Sequence, residues 1–506
     1  MPSSVAETAP LGHPNPYWRA KVGNYTRLVT DTLPKKTRAA HRHAPDWIIL
    51  FIACIAQFMV VLDVSIVNVA LPSMQRDLHF SPSSAQWVVN AYVLTFAGFL
   101  LLGGRAADIF GRRRVYMTGL AIFTIASIGA GFAATGPQMI AIRAVQGLGG
   151  AILSPATLTI IVTTFHGPRL PKAIGAWSAV AGAGGAVGGL LGGILTGWAS
   201  WRWVFFINVP FGIAAGVLAL MFLRELRNRD AAIKLDVAGA ALVTGSLAAL
   251  IYGVVNTATY GWTSSTTLSW FIGGAIGLVA FLFWESRVAS HPLVPYRLFR
   301  SRSLSVANVV MFLVGGAFFA MWYFLTFYFQ YILKYDPVRA GFAFLPMALA
   351  IVAGAQFSSR ILHKTGVQPL LLVGAAFATL GFLWISLIQP HSSYWGAIFV
   401  PSVICAFAMG LLFAPLATAA TAGVERADAG LASGVLNTSR QVGGSLALAI
   451  LATVAASRAA TFVDPKSAVA LVSGYQRVFQ VSAVITLLAL IAALSLPRHT
   501  GRHATH

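Results

Sequence analysis

Residues 47–72 read WIILFIACIAQFMVVLDVSIVNVALP, a run with one charged residue, Asp63. As a helix rising ~1.5 Å per residue it is about 39 Å long, enough to cross the ~30 Å hydrocarbon core of a bilayer. A helix satisfies its own amides and carbonyls inside lipid, so the run predicts a membrane span. The same pattern recurs along the 506-residue chain, which is 57% hydrophobic and only 10% charged. That balance lies outside the range of soluble domains and leaves no room for a large extramembrane one. Cys54 and Cys405 lie far apart within apolar runs, which speaks against a disulfide framework or a thiolate metal cluster.

Apolar runs between charged or Pro/Gly-rich breaks predict six spans near 47–70, 84–104, 115–133, 138–165, 172–198 and 203–223. A pair follows near 237–256 and 268–286. A second six lies near 304–332, 338–361, 367–388, 394–420, 429–455 and 478–496. The expectation is an all-α polytopic membrane protein with 14 transmembrane helices. Two six-helix bundles (47–223 and 304–496) flank two additional central helices with their linkers (224–303), between polar tails at 1–46 and 497–506. The formal charge of +21 could mark a nucleic-acid binder, so its distribution decides. With the N-terminus inside, 26 of the 35 Lys and Arg fall in inner segments, seven in outer loops and two, Arg143 and Arg440, within spans. Basic residues collect on the cytoplasmic side of a membrane. The asymmetry therefore supports an even span count with both termini cytoplasmic, and leaves no contiguous basic surface for nucleic acid. Residues 1–46 have no apolar h-region and read as a cytoplasmic tail rather than a secretory signal. Arginine outnumbers lysine 27 to 8, a bias of bacteria with GC-rich genomes.

Of the 14 acidic residues, only Asp63 sits well within a span. A charge there costs several kcal/mol, so an intramembrane carboxyl marks a functional site; a locked ion pair is the structural alternative. Arg143, in MIAIRAVQGLGG (139–150), enters the fourth span from the outer side at a similar depth, within ~5 Å of Asp63 along the membrane normal. A guanidinium near the carboxylate favours its charged form, and one that moves away lets the proton return, so a coupled pair would convert helix motion into proton exchange. The plainer reading is that Arg143 only satisfies helix carbonyls. The fifth span carries nine glycines, of which Gly185, Gly189, Gly193 and Gly197 recur every four residues. That spacing makes a face along which another backbone can approach closely and slide. The inner loop GRAADIFGRRRVYMTG (104–119) holds Asp108 between basic residues, with Gly104 and Gly111 permitting tight turns, and reads as a charge-mediated latch. SSRILHKTG (358–366) echoes its spacing in the second half, with His363 in place of the acid.

With these motifs in view, the chain resembles the fourteen-span drug:proton antiporters of the major facilitator superfamily, the EmrB/QacA type, over residues 47–496. LDVSIVNVALP (62–72) resembles the family's first-span signature, with Asp63 in the acidic position. GRAADIFGRRR (104–114) resembles its loop signature, including Gly104, Asp108, Gly111 and Arg112, and RAVQGLGGAILSP (143–155) its fourth-span signature, with Arg143, Gln146 and Gly147. WRWVFFINVPFG (201–212), HPLVPYRLFR (291–300) and ASGVLNTSRQVGG (432–444) are similar to segments typical of this branch. Two departures stand out. Relatives usually carry a Gly-Pro pair in the fifth span where this chain reads Gly188-Gly189, and the late spans hold none of the extra acids of exporters of divalent cations.

The resemblance implies the major facilitator fold and proton-coupled antiport, exporting amphipathic drugs, antibiotics or secondary metabolites across the cell membrane by alternating access. It implies proton coupling at Asp63 and Arg143, and a conformational gate at Gly104, Asp108, Gly111, Arg112, Gln146, Gly147, Gly185, Gly189 and Gly193. Trp87, Asn90 and Tyr92 in the second span, Trp322, Tyr323 and Phe327 in the ninth, and Arg440 are candidate substrate-binding residues. The aromatic run FFAMWYFLTFYFQY (318–331) also fits an interfacial belt. A dedicated exporter of one metabolite, or a proton-coupled importer, is the alternative within transport. A membrane-embedded enzyme or sensor is the remote one: no histidine falls clearly within a span, and neither HExxH nor a phosphate-binding glycine loop with its lysine occurs. No metal, cofactor or ATP drive is expected, so the partners are an amphipathic small molecule, protons and the lipid bilayer. The central pair reads as spacers without an ionisable site in the membrane; oligomeric state is not legible.

Overall fold

A computed structural model describes residues 45–496 apart from 168, 224, 226–234, 291, 423 and 425–427. Residues 1–44 of the expected tail 1–46, and all of the expected tail 497–506, lie outside the described residues, as do the side chains of Pro82, Ser83, Asp108, Pro171, Ala181, Ala186, Ala258 and Thr259. The described residues hold 14 helices long and apolar enough to cross a membrane, and no strand. They are α1 (Asp46–Asp77), α2 (Pro82–Phe110), α3 (Arg112–Gly131), α4 (Gly136–Thr164), α5 (Arg169–Trp198) and α6 (Trp203–Phe222). The central pair is α7 (Val237–Tyr260) and α8 (Ser265–Phe283). Then come α9 (Arg302–Phe327), α10 (Pro337–Thr365), α11 (Val367–Ile385), α12 (Phe399–Thr421), α13 (Ala429–Ala459) and α14 (Ala468–Leu494).

Local chemistry places many of the starts. Ser81, Asp236, Ser264, Ser301, Asp336 and Ser467 each accept a hydrogen bond from a backbone amide three residues on, and proline follows at the first position of α2 and α10. α14 begins ten residues before the expected 478, because the polar residues that interrupt the apolar run have partners. Gln476 Nε2 donates to Ile388 O at 2.6 Å, and Tyr475 packs on Phe324. The central pair also differs from expectation at one end. Asp236 caps α7 and accepts from Trp284 Nε1 at 2.8 Å, while the buried Glu285 accepts from the amides of Leu293 and Val294.

Successive spans run in alternate directions; the face where α1 begins is called the N-face here, and the opposite one the far face. In the first bundle α2 and α3 pack on α4, and α1 on α5 and α6. The second bundle repeats this, with α9 on α13 and α14, and α12 between α10 and α11. The bundles meet along two seams, α2 with α13 and α5 with α10, and α7 lies against both α2 and α13. α8 packs on α7 and turns Ile272, Ile276, Val279 and Phe283 outward, as a lipid-facing helix does.

The α5–α10 seam is closed at the far face only. A Cβ on Gly193 would lie 2.3 Å from Pro337 O, one on Gly341 would lie 2.7 Å from Gly189 O, and Gly197 faces Val338. Gly175 and Gly182, further toward the N-face on the same side of α5, have nothing within 4 Å where a Cβ would stand. The helices therefore splay apart, and the gap between the bundles opens at the N-face. Gln330 Nε2, donating to Val69 O at 2.8 Å, and the Tyr331–Gln75 bond at 3.0 Å complete the far-face closure. Gly184, Gly188 and Gly192 pack on α1 instead, and Gly185 sides with them: Val61 of α1 is its neighbour, and its carbonyl accepts from Ser65 Oγ at 2.8 Å. Gly193→Leu is expected to wedge α5 from α10, reducing turnover at least about tenfold and raising far-face cysteine labelling, whereas Gly182→Leu leaves both near wild type.

Candidate functional site

Asp63 stands midway along α1 with its side chain fully buried, and Arg143, one turn into the apolar part of α4, is 1% exposed. Arg143 Nη1 donates to Asp63 Oδ2 at 2.5 Å. A buried charge demands that its remaining bonding capacity also be met, and here four helices supply the partners. Gln146, on the same face of α4, donates through Nε2 to Asp63 Oδ1 and Ser127 Oγ, both at 2.7 Å, and accepts from Arg143 Nη1 at 2.6 Å. Asn208 Nδ2 from α6 reaches Asp63 Oδ1 at 3.2 Å and Ser127 Oγ of α3 at 3.3 Å. Arg143 Nε donates to Val88 O of α2, and its guanidinium lies 4.3 Å from the Tyr92 ring centroid and 5.7 Å from that of Phe205.

Chemically, this is a buried ion pair whose two members have further neutral partners. The carboxylate has Arg143 and the Gln146 and Asn208 amides as donors, while Arg143 also has Val88 O, Gln146 Oε1 and the face of Tyr92. The guanidinium thus has a carbonyl, an amide oxygen and an aromatic face beside it in addition to the carboxylate. Ser127, Asn208 and Phe205 were not singled out from the sequence. Asn208, the only side-chain amide in WVFFINVPFG, carried a signal; Ser127 did not, because serine is common in transmembrane helices.

Gly111, between α2 and α3, adopts φ of 95°, a conformation that favours glycine, and Arg112 opens α3 beside it. Glu225 approaches the same turn and pairs with Arg114 at 3.7 Å, and Arg113 donates to Leu220 O. Asp108 lies on α2 there, its side chain among those not described. Gly104 faces Pro155, and Gly147 packs against the backbone of Tyr92, so both serve the α2–α4 contact. The candidate lining residues separate in space. Trp87 packs on Tyr252 of α7, and Asn90 Oδ1 accepts from Ser445 Oγ across the α2–α13 seam at 3.1 Å. Tyr92 belongs to the arginine network, and Trp322 packs at a tilt against Phe344 near the α5–α10 closure. Tyr323 and Phe327 are buried against each other in an aromatic cluster, while Arg440 is partly buried at mid-helix in α13.

Two repeated six-helix bundles around a gap open at one face, with one sealed ion pair as the intramembrane charge centre, define a polytopic membrane transporter. The chain belongs to the major facilitator superfamily, whose family model matches residues 53–448. It is 42% identical over 411 residues to a cephamycin export protein of Amycolatopsis lactamdurans, covering 81% of this chain and 85% of that one. It is 36% identical to a puromycin resistance protein of Streptomyces alboniger, covering 82% and 83%. Its fold matches, with a TM-score of 0.60 at 17% identity over 88% of this chain and 96% of the other, a bacterial homologue of the human lysosomal transporter Spinster in an inward-facing, unoccupied conformation.

Removing one member of a buried pair strands the other, whereas removing both does not. Arg143→Met alone is expected to lower stability by about 3–5 kcal/mol, and Arg143→Met with Asp63→Leu to recover most of it, as read by thermal unfolding in detergent.

Proposed function

We propose that the protein is a proton-coupled antiporter that exports amphipathic antibiotics or related secondary metabolites by alternating access. The observation that carries this reading is the Asp63–Arg143–Gln146 cluster: one carboxyl, sealed between helices of the first bundle, held by a guanidinium that has alternative partners. The names of the cephamycin and puromycin relatives support export. In this reading the gap at the N-face admits substrate from the cytoplasm. Rocking of the two bundles, 47–223 against 304–496, then separates α5 from α10 at the far face and closes the N-face. Protonation of Asp63 from outside releases Arg143, and deprotonation toward the cytoplasm restores the pair. The Gly104–Arg112 turn acts as the latch of one state, and Gly189 and Gly193 as the sliding contact of the other.

The excess of Lys and Arg in the segments at the N-face supports placing that face, with both termini, in the cytoplasm. The bacterial relatives and the arginine bias support the cytoplasmic membrane of a bacterium. One proton moving through 100 mV supplies roughly 2.3 kcal/mol, enough for about a 40-fold substrate gradient. A dedicated exporter of one compound is the second reading, favoured by the cephamycin relative.

Inverted membrane vesicles energised by respiration test this directly, with ethidium, puromycin and cefoxitin as probes. Wild-type vesicles are expected to accumulate at least one probe, and a protonophore or Asp63→Asn to abolish that accumulation. Accumulation that persists in Asp63→Asn, or none of any probe in wild type, contradicts the proposal.

A further inference from the structure

Two arginines lie deep in the bundles, and among the described residues only Arg143 pairs with a carboxylate. Arg440 stands 11 residues after Ala429, the first residue of α13, about 16 Å along the helix axis and so near the middle of the membrane. Its Nη2 donates to Asn437 Oδ1 at 2.8 Å, its guanidinium carbon lies 5.7 Å from the Phe413 ring centroid of α12, and Nε is buried without an acceptor. None of the five ion pairs among the described residues includes it. The second bundle holds no candidate counter-charge within its spans, because α9 to α14 contain no Asp or Glu at all. An arginine at that depth without an anion is costly, and membrane arginines are ordinarily paired or turned to an aqueous cavity.

The helix face settles which way Arg440 is turned. On α13, Gly434 and Ser445 meet Leu101 and Asn90 of α2, Gly443 and Ala447 meet Phe312 and Gly316 of α9, and Thr453 bonds the Val254 carbonyl of α7. At 100° per residue, Asn437 and Arg440 occupy the arc between the α2 and α9 stripes, away from α7. Gly315 of α9 has no side chain, and the Arg440 stem runs across it. The guanidinium therefore borders the space between the bundles, which opens at the N-face.

We propose that Arg440, with Asn437 beside it and the Phe413 ring below the guanidinium, is the receptor for a carboxylate on the transported compound. The protein on this account prefers amphipathic organic anions, the substrate itself supplying the charge that α9 to α14 lack. The inference rests on the export reading for the word "transported", but the binding it describes stands apart from any gradient. A bidentate guanidinium–carboxylate contact fixes orientation as well as affinity, so lysine replaces it only in part.

The test is equilibrium binding, without a gradient, to the full-length protein in lipid nanodiscs, with cefoxitin, an amphipathic carboxylate, and its methyl ester as probes. Wild type is expected to bind the acid at least about tenfold more tightly than the ester. Arg440→Gln is expected to remove that preference while leaving ester affinity unchanged, and Arg440→Lys to retain part of it. Equal affinity for acid and ester in wild type, binding of neither, or a preference that survives Arg440→Gln overturns the proposal. If Arg440→Gln fails to give a cooperative thermal unfolding transition, the wild-type and Arg440→Lys comparisons decide. An exporter with no carboxylate preference refutes this inference alone; a carboxylate-selective protein that exports nothing refutes the export reading alone.

Discussion

A carboxylate in hydrocarbon must have a counter-charge and donors for its oxygens, and the first bundle is organised around that constraint. Asp63 on α1 draws Arg143 and Gln146 from α4, Asn208 from α6 and, through Gln146 and Asn208, Ser127 from α3. The network sets the depth and rotation of four helices at once, because none can turn without losing a bond to a fully buried oxygen. A second tie, Ser154 Oγ to Gln57 Oε1 at 2.9 Å, holds α1 and α4 together further toward the N-face.

The contacts between bundles are of another kind. The α5–α10 seam is a backbone contact without ionic ties among the described residues, made possible by Gly189, Gly193 and Gly341. Such contacts are strong only while the surfaces match, and they separate without leaving unpaired charges, which suits the opening and closing proposed for this interface. Rigidity thus resides within the first bundle, where polar bonds are dense. The α5–α10 seam, where glycines face each other, carries no such network among the described residues.

Much of this was legible in the sequence. The spans could be read because each helix in lipid must be long and apolar on its own account, and the shared depth of Asp63 and Arg143 followed from counting residues at 1.5 Å each. Rotation was less legible. Gly188 and Gly189 are neighbours in sequence, yet one packs on α1 and the other on α10, and the partner of each face is fixed only by assembly. Ser127 and Asn208 escaped because short polar side chains in membrane helices more often bond their own backbone, as Thr159 and Ser246 do here. The start of α14 was hidden by Gln476 and Arg477, and the anchoring of the central pair by Asp236 and Glu285 lay at a helix end, where composition carries little information.

The central claim is that Asp63 exchanges its proton as the transporter changes state. The most direct measurement is proton release from purified protein in weakly buffered detergent solution on addition of a transported compound, followed with a pH-sensitive dye. The account predicts that wild-type protein first equilibrated at a pH low enough to protonate Asp63 releases up to about one proton per molecule bound, and that Asp63→Asn, which still binds, releases none. Equal release from both proteins, or none from wild type at saturating ligand, would contradict it.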